Sequence, residues 1–305
     1  MNSDLIALVG PTGSGKTSVA LALAERWQAE IVNCDSRQVF RGLDIGTAKP
    51  TAAERGRVPH HLFDVVEPNE AFDAARYAAL ARAALADIAA RGRRALVVGG
   101  TGLYLKALRV GLFAGPAADA ALRARLNAEE AAAPGTLHAR LAHVDPTTAA
   151  RLAVRDRVRL VRALEVFELT GRRLSDWHAA QAKDPLPLRA VGLHVPRAEL
   201  YRRLDARCAA MLDGGLLDEI RHLWARGYGP ELPALRSIGY RELGAHLRGE
   251  RGLDDALAAM QQATRQFAKR QLTWFRADPT IEWLPADTAV EAVAAGTVEK
   301  PSRPC

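Results

Sequence analysis

Eight consecutive residues, Gly10-Pro11-Thr12-Gly13-Ser14-Gly15-Lys16-Thr17, bring together the groups that hold a polyphosphate. Glycines at this spacing let backbone amides converge on phosphate oxygens at the start of a helix. Lys16 adds a positive charge, and the Thr17 hydroxyl is a ligand for Mg2+, which makes Mg2+ the expected cofactor and Thr17 its expected protein ligand. Such a loop works only between a buried strand and a helix. Leu5-Ile6-Ala7-Leu8-Val9 supplies the strand, and residues 17–28 carry apolar side chains at helical spacing.

The loop does not say what is done with the polyphosphate. An ATP-dependent kinase would transfer a γ-phosphoryl group. Against that, the apolar strand 95–98 runs into Gly99-Gly100-Thr101-Gly102-Leu103-Tyr104, with glycines and a hydroxyl where a nucleotidase would carry a carboxylate. The nearest carboxylate belongs instead to Asn33-Cys34-Asp35-Ser36-Arg37-Gln38-Val39-Phe40, after a second strand at 30–33. The carboxyl edge of an open α/β sheet holds the ligand crevice, so Asp35 should face the phosphate loop. There it could hold Mg2+ through water or accept a proton as a general base. A helix N-cap made by Asp35 or Ser36 explains the same residues equally well. The polar loop 44–50 follows, and then Pro59-His60-His61, whose histidines read as structural.

These groups need a scaffold. Further strands are read at 188–195 and 280–284, and strands alternating with helices predict a parallel sheet covered on both faces. From 115 to 187 there is no strand pattern, Ala and Arg dominate, and helical periodicity is nearly continuous, which predicts a helical insertion. A second helical run covers 197–276, broken near Gly227-Tyr228-Gly229-Pro230. The expected organisation is a catalytic core of residues 1–114 and 188–286, the insertion 115–187, and a flexible tail 287–305.

Together these segments closely resemble the tRNA dimethylallyltransferases (tRNA isopentenyltransferases). The resemblance rests on the 10–17 loop, Asp35 to Phe40, Asp44-Ile45-Gly46-Thr47-Ala48-Lys49-Pro50, Pro59-His60-His61, the 99–104 glycine segment, Arg162-Ala163-Leu164-Glu165-Val166, and Lys269-Arg270-Gln271-Leu272-Thr273-Trp274-Phe275-Arg276. It runs from about residue 4 to 285, and the only departure noted is Phe40, where the family usually has Tyr. It implies an α/β fold of the P-loop NTPase type with a helical insertion domain. It also implies transfer of the dimethylallyl group of dimethylallyl diphosphate to N6 of the adenosine just 3′ of a tRNA anticodon, with Mg2+ required. Loop residues 10–17 and Arg207 would hold the diphosphate, with Lys16 catalytic; Asp35 would be the base, and Thr101 a polar contact at the reacting end. Arg123 would touch tRNA, as would Asp35 to Gln38, Thr101 and the run Arg159, Leu160, Val161, Arg162, Ala163. A prenyltransferase of free adenine nucleotides would share the diphosphate chemistry.

Two basic stripes favour the tRNA substrate. On a helical wheel over 151–170, Arg151, Arg155, Arg159 and Arg162 share a quarter of the circumference, opposite Leu160, Ala163, Leu164 and Phe167. Over 265–276, Arg265, Lys269, Thr273 and Arg276 share a face, opposite Phe267 and Trp274 as core anchors. Lys269, Arg270, Gln271, Thr273 and Arg276 are the expected tRNA contacts there. Of the net charge of +7 on 305 residues, residues 151–173 and 265–276 carry +4 each and the rest about −1. The expected partner is a tRNA anticodon stem-loop bound by a monomer. No apolar run approaches the ~18 residues that span a bilayer, the first four residues lack the basic flank of a leader, and three cysteines are too few for a disulfide framework. A cytoplasmic enzyme with no membrane partner is expected.

Overall fold

The computed structural model describes residues 5–113, 115–180 and 185–296. The apolar run Leu5–Val9 forms β1, and every residue after Leu5 in it is buried, as a strand covered on both faces requires. The chain continues through α1 (Lys16–Trp27), β2 (Ala29–Asn33), α2 (Ala52–Arg57), β3 (His60–His61), α3 (Ala74–Ala90), β4 (Arg94–Gly99) and α4 (Gly102–Val110). Five helices follow, α5 (Ala120–Ala132), α6 (Thr136–Val144), α7 (Pro146–Ala149), α8 (Arg157–Thr170) and α9 (Leu174–Ala180). Then come β5 (Leu188–His194), α10 (Arg197–Asp213), α11 (Leu216–Ala225), α12 (Tyr240–Leu247), α13 (Leu253–Arg276), β6 (Glu282–Pro285) and α14 (Ala289–Ala294).

The six strands form one parallel sheet in the order β3-β2-β4-β1-β5-β6. One face buries Val9, Val32 and Val97 under α3 and α4, with Tyr77 stacked on Tyr104 at 4.2 Å. The other buries Leu8, Ile31 and Leu96 under α1 and α14. A third cluster joins Val39, Phe40 and Leu43 to α11 and α12 through Leu216, Ile220 and Leu243. The sheet thus aims the carboxyl ends of β1, β2 and β4, three adjacent strands, at one edge.

The chain divides into two compact units, Met1–Arg109 with Leu186–Cys305, and Val110–Pro185. The second unit begins where α4 ends, a few residues before the 115 read from sequence. It packs Leu126, Leu137, Leu141, Leu160 and Leu164 into a core of its own.

Two expectations need correction. Residues 287–296 are not a loose tail: α14 buries Ala289 and Val293, and Glu291 meets Arg26 at 2.9 Å. The remaining tail residues, 297–305, and the first four lie outside the described residues. The arginine stripe over 151–170 does not lie on one helix either. The Asp156 side chain caps α8 by accepting from the Arg159 amide, so Arg151 and Arg155 precede the helix and only Arg159 and Arg162 ride on it.

Candidate active site

At the carboxyl end of β1 the chain turns into the glycine loop and enters α1 through Gly15, whose φ of 86° is a left-handed conformation that suits glycine. Thr12, Gly13, Gly15, Lys16 and Thr17 line a cleft of about 300 Å3, with Asp35, Gln38, Arg203, Arg207 and Gln271 among its other walls. Lys16 Nζ donates to the carbonyls of Gly10 at 3.0 Å and Pro11 at 2.7 Å. Burial pushes its pKa down to about 8, the Asp35 carboxylate opposing that shift and Arg207 adding to it. Arg207 reaches in from α10 and donates to the Thr12 hydroxyl. Burial biases Arg207 against its charge too, although a guanidinium remains protonated in proteins. Ser14 is fully buried beneath the loop and takes no part in the cleft lining.

Asp35 sits at the end of β2. No helix follows, so it is not an N-cap: its Oδ1 accepts from the Arg37 amide at 2.8 Å in an Asx-type turn, and its own amide donates to Asn33 Oδ1 at 3.0 Å. Thr101, at the end of β4, holds the same turn. Its amide donates to the Cys34 carbonyl at 3.2 Å, and its hydroxyl accepts from the Ser36 amide at 3.0 Å. The closeness of these strand ends explains Gly99, where a Cβ would lie 2.1 Å from the Cys34 carbonyl oxygen. Arg37 is exposed, while Gln38 turns inward and donates to the Thr47 and Ala48 carbonyls at 3.0 Å.

The 44–50 loop has a structural explanation. Lys49 is buried and donates to Asp44 and Asp64, each at 2.6 Å, and to the Phe40 carbonyl. Glu219 of α11 accepts from the amides of Asp44, Ile45 and Gly46. These contacts fix the wall formed by Thr47, Ala48 and Pro50, opposite the phosphate loop. His61 pairs with Glu30 at 2.7 Å, as a structural histidine does; His60 and Phe63 line the cleft.

Several expected RNA contacts are placed elsewhere. Leu160, Val161 and Ala163 are buried in the core of the helical unit, because they lie on the packing face of α8 and cannot present side chains to a partner there. Arg123 and Arg162 converge on Glu165, which is 0% exposed, at 2.7 Å each, and the Asp119 amide donates to the same carboxylate. Burial raises the Glu165 pKa, but these three donors more than reverse that and hold it at about 2. Arg123 and Arg162 are thus first of all partners of a buried carboxylate. Glu165→Ala would remove the acceptor of both guanidiniums and of the Asp119 amide, and, because the arginines are partly exposed and can turn to water, is expected to cost the helical unit about 1–3 kcal/mol. Thermal melting followed by circular dichroism checks this, and an unchanged midpoint would make the triad dispensable. Arg159 stays 62% exposed beside Asp156.

On α13, Lys269, Arg270, Thr273 and Arg276 are exposed, and Arg265 pairs with Asp205 at 2.5 Å. Gln271 is buried and points into the phosphate loop, so it does not belong to that surface. Trp274 is 42% exposed, with its ring against Gly102; Phe275, one residue on, is the core anchor. Sequence reasoning also missed Arg203, on the cleft wall four residues before Arg207. That i, i+4 spacing on one helix was the available signal.

Thr17 and Asp35 bring a hydroxyl and a carboxylate to one cleft beside Lys16. That hard-oxygen set suits Mg2+, which keeps several waters and takes one or two protein oxygens beside phosphate. Among the described residues no group of three or more His, Cys, Asp or Glu could hold a metal by itself.

A strand, glycine loop and helix on a parallel sheet, with a second strand presenting an acid to the loop, define a P-loop α/β enzyme. The IPP transferase family profile matches residues 38–278, and the chain belongs to that family. It is 53% identical to the tRNA dimethylallyltransferase of Anaeromyxobacter dehalogenans over 299 residues, 97% of each chain. The Geobacter metallireducens tRNA dimethylallyltransferase is 52% identical over 284 residues, 92% of each. Among solved structures, the full-length tRNA isopentenylpyrophosphate transferase of Bacillus halodurans matches with a TM-score of 0.70 at 36% identity, over 97% of this chain and 96% of that one. A eukaryotic dimethylallyltransferase acting on tRNA gives 0.78 at 29% identity, over 96% of this chain and 76% of that one. No helix among the described residues is long and apolar enough to cross a membrane.

Proposed function

We propose that this chain is a tRNA dimethylallyltransferase, moving the dimethylallyl group of dimethylallyl diphosphate to N6 of the adenosine 3′ of a tRNA anticodon. The observation that carries this reading is that a diphosphate clamp and a carboxylate line one cleft, in a chain sharing half its residues with tRNA dimethylallyltransferases over nearly its full length.

The exocyclic amine is a poor nucleophile, because its lone pair is delocalised into the purine. Its nitrogen bonds to C1 of the allylic group while the C1–O bond breaks and its electron pair leaves with diphosphate. Lys16, Arg207 and the loop amides supply fixed positive charge where the leaving oxygens gain negative charge. Asp35 accepts the proton lost from N6. Thr101 holds the Asp35–Ser36 turn and so sets where that base points. Thr17, with Asp35 through water, would hold Mg2+, whose chemistry when bound is to neutralise diphosphate charge.

The tRNA is held through Arg159 on the helical unit and, separately, through Lys269, Arg270, Thr273 and Arg276 on α13. The base must leave its stack to reach the cleft, at a cost of a few kcal/mol. Arg159→Ala combined with Lys269→Ala and Arg276→Ala should flatten the salt dependence of tRNA binding by about 0.9 slope unit for each phosphate no longer neutralised. Filter binding across a salt series measures this; an unchanged slope would make these residues solvated surface. The enzyme acts as a monomer in the cytoplasm, where its tRNA substrate is.

The direct test is to treat an unmodified tRNA transcript with dimethylallyl diphosphate and Mg2+, digest it, and map the modified nucleoside by mass spectrometry. Isopentenyladenosine next to the anticodon is expected, and modification at another position would overturn the assignment.

A further inference from the structure

Gln271 follows the exposed Lys269 and Arg270 in sequence but lies on the buried face of α13 with Thr264, Ala268 and Phe275, and it is only 6% exposed. Its two amide atoms have separate partners. Oε1 accepts from the Thr12 amide in the phosphate loop at 2.8 Å, and Nε2 donates to the Gly100 carbonyl at 2.8 Å. A Cβ at Gly100 would stand 2.3 Å from Nε2, so the glycine leaves the space the amide occupies. Gly100 is bonded in sequence to Thr101, which holds the turn carrying Asp35. One side chain therefore spans the leaving-group clamp and the strand end that fixes the base.

We infer that Gln271 is a positioning residue for group transfer: its carboxamide sets the separation between the phosphate loop and the Gly100–Thr101 segment, and thereby between diphosphate and Asp35. The inference rests on the prenyl-transfer reading for its catalytic consequence, but not for its structural one. A glutamine suits the task because it accepts on one atom and donates on the other without bringing a charge near the diphosphate. Methionine has similar length and neither bond. Glutamate keeps the acceptor but sets an anion against a carbonyl and against the diphosphate.

Gln271→Met should slow single-turnover prenyl transfer at saturating dimethylallyl diphosphate by about 10²-fold, the scale of a misplacement of about 1 Å. It should weaken binding of inorganic diphosphate with Mg2+, measured by calorimetry, while leaving the tRNA dissociation constant and its salt slope unchanged. Gln271→Glu should weaken diphosphate binding further. Gly100→Ala should reproduce the methionine phenotype by displacing the amide, and the double variant should be no worse than the poorer single one, since both break one bridge. Weakened tRNA binding with diphosphate affinity and single-turnover rate intact would make Gln271 an RNA contact and overturn the inference. So would additive losses from Gly100→Ala and Gln271→Met, or no change in any of these quantities. Wild-type protein that fails to prenylate tRNA would sink the functional reading, while the diphosphate titrations still decide whether the bridge shapes the clamp.

Discussion

Asp35→Asn should lower the rate of prenyl transfer by about 10²–10⁴-fold, the range a positioned general base contributes, without changing tRNA affinity. The asparagine variant is the cleaner test. Its Oδ1 can still accept from the Arg37 amide, and the main-chain amides of residues 35 and 36, which donate to the Asn33 and Thr101 side-chain oxygens, are untouched by the substitution. The turn therefore persists, and what is removed is the carboxylate's basicity together with its charge beside the proposed Mg2+ position. Single-turnover kinetics with saturating tRNA separates this from a binding defect. Retention of more than a tenth of the wild-type rate would show that another group takes the proton.

The second large effect falls on the leaving group. Lys16→Met should cost about 10²–10³-fold in turnover, comparable to losing one donor from a preorganised oxyanion site. Lys16→Arg should not rescue it, because a planar guanidinium cannot occupy the space beneath the loop where the ammonium meets the Gly10 and Pro11 carbonyls. A pH dependence follows as well. Burial lowers the Lys16 pKa from the ordinary lysine value to about 8, so the ammonium is charged below that pH and neutral above it. The charge that binds diphosphate is lost as pH rises through 8, far earlier than for an exposed lysine. kcat/KM for dimethylallyl diphosphate, which reports the unliganded enzyme, should fall above about pH 8. kcat should hold to higher pH, because bound diphosphate favours the charged form. A kcat/KM flat to pH 10 would show that the Lys16 charge is not needed for capture.

The residues that sequence placed correctly are those whose constraint is local. Gly10 to Thr17 form a loop between adjacent elements, and Asp35 follows its strand by two residues, so the carboxyl-edge rule was enough to bring them together. That Gln271 faces inward is legible in the helical spacing it shares with Thr264, Ala268 and Phe275, but what it touches is not. Its partners, Thr12 and Gly100, come from strand ends far earlier in the chain, and no periodicity encodes that. Trp274, expected as a core anchor, is 42% exposed while Phe275 is buried, because one residue on a helical wheel is 100° of rotation, enough to separate surface from core. Leu160, Val161 and Ala163 share a contiguous segment with Arg159 and Arg162 but not a surface, and the helical spacing marks Leu160 and Ala163 as packing residues.

The charge bias shows the same division between local and tertiary information. Arg162 and Arg265 belong to the two basic stripes, yet one is bound to Glu165 and the other to Asp205. The arginine count is visible in sequence, but not how many of those arginines have an acid waiting in the fold. Arg159, Lys269, Arg270 and Arg276 remain exposed, and the proposed tRNA contact falls to those.

If the phosphate loop serves a leaving diphosphate and the acceptor is tRNA, one incubation shows both at once. The purified chain is given Mg2+ and dimethylallyl diphosphate labelled in the prenyl group, with unmodified tRNA in one reaction and AMP in another, and ATP turnover is measured in parallel. Label in tRNA, stoichiometric release of diphosphate and no dependence on ATP are expected. Label entering AMP but not tRNA, or ATP consumption without prenyl transfer, would contradict this assignment of loop and acceptor.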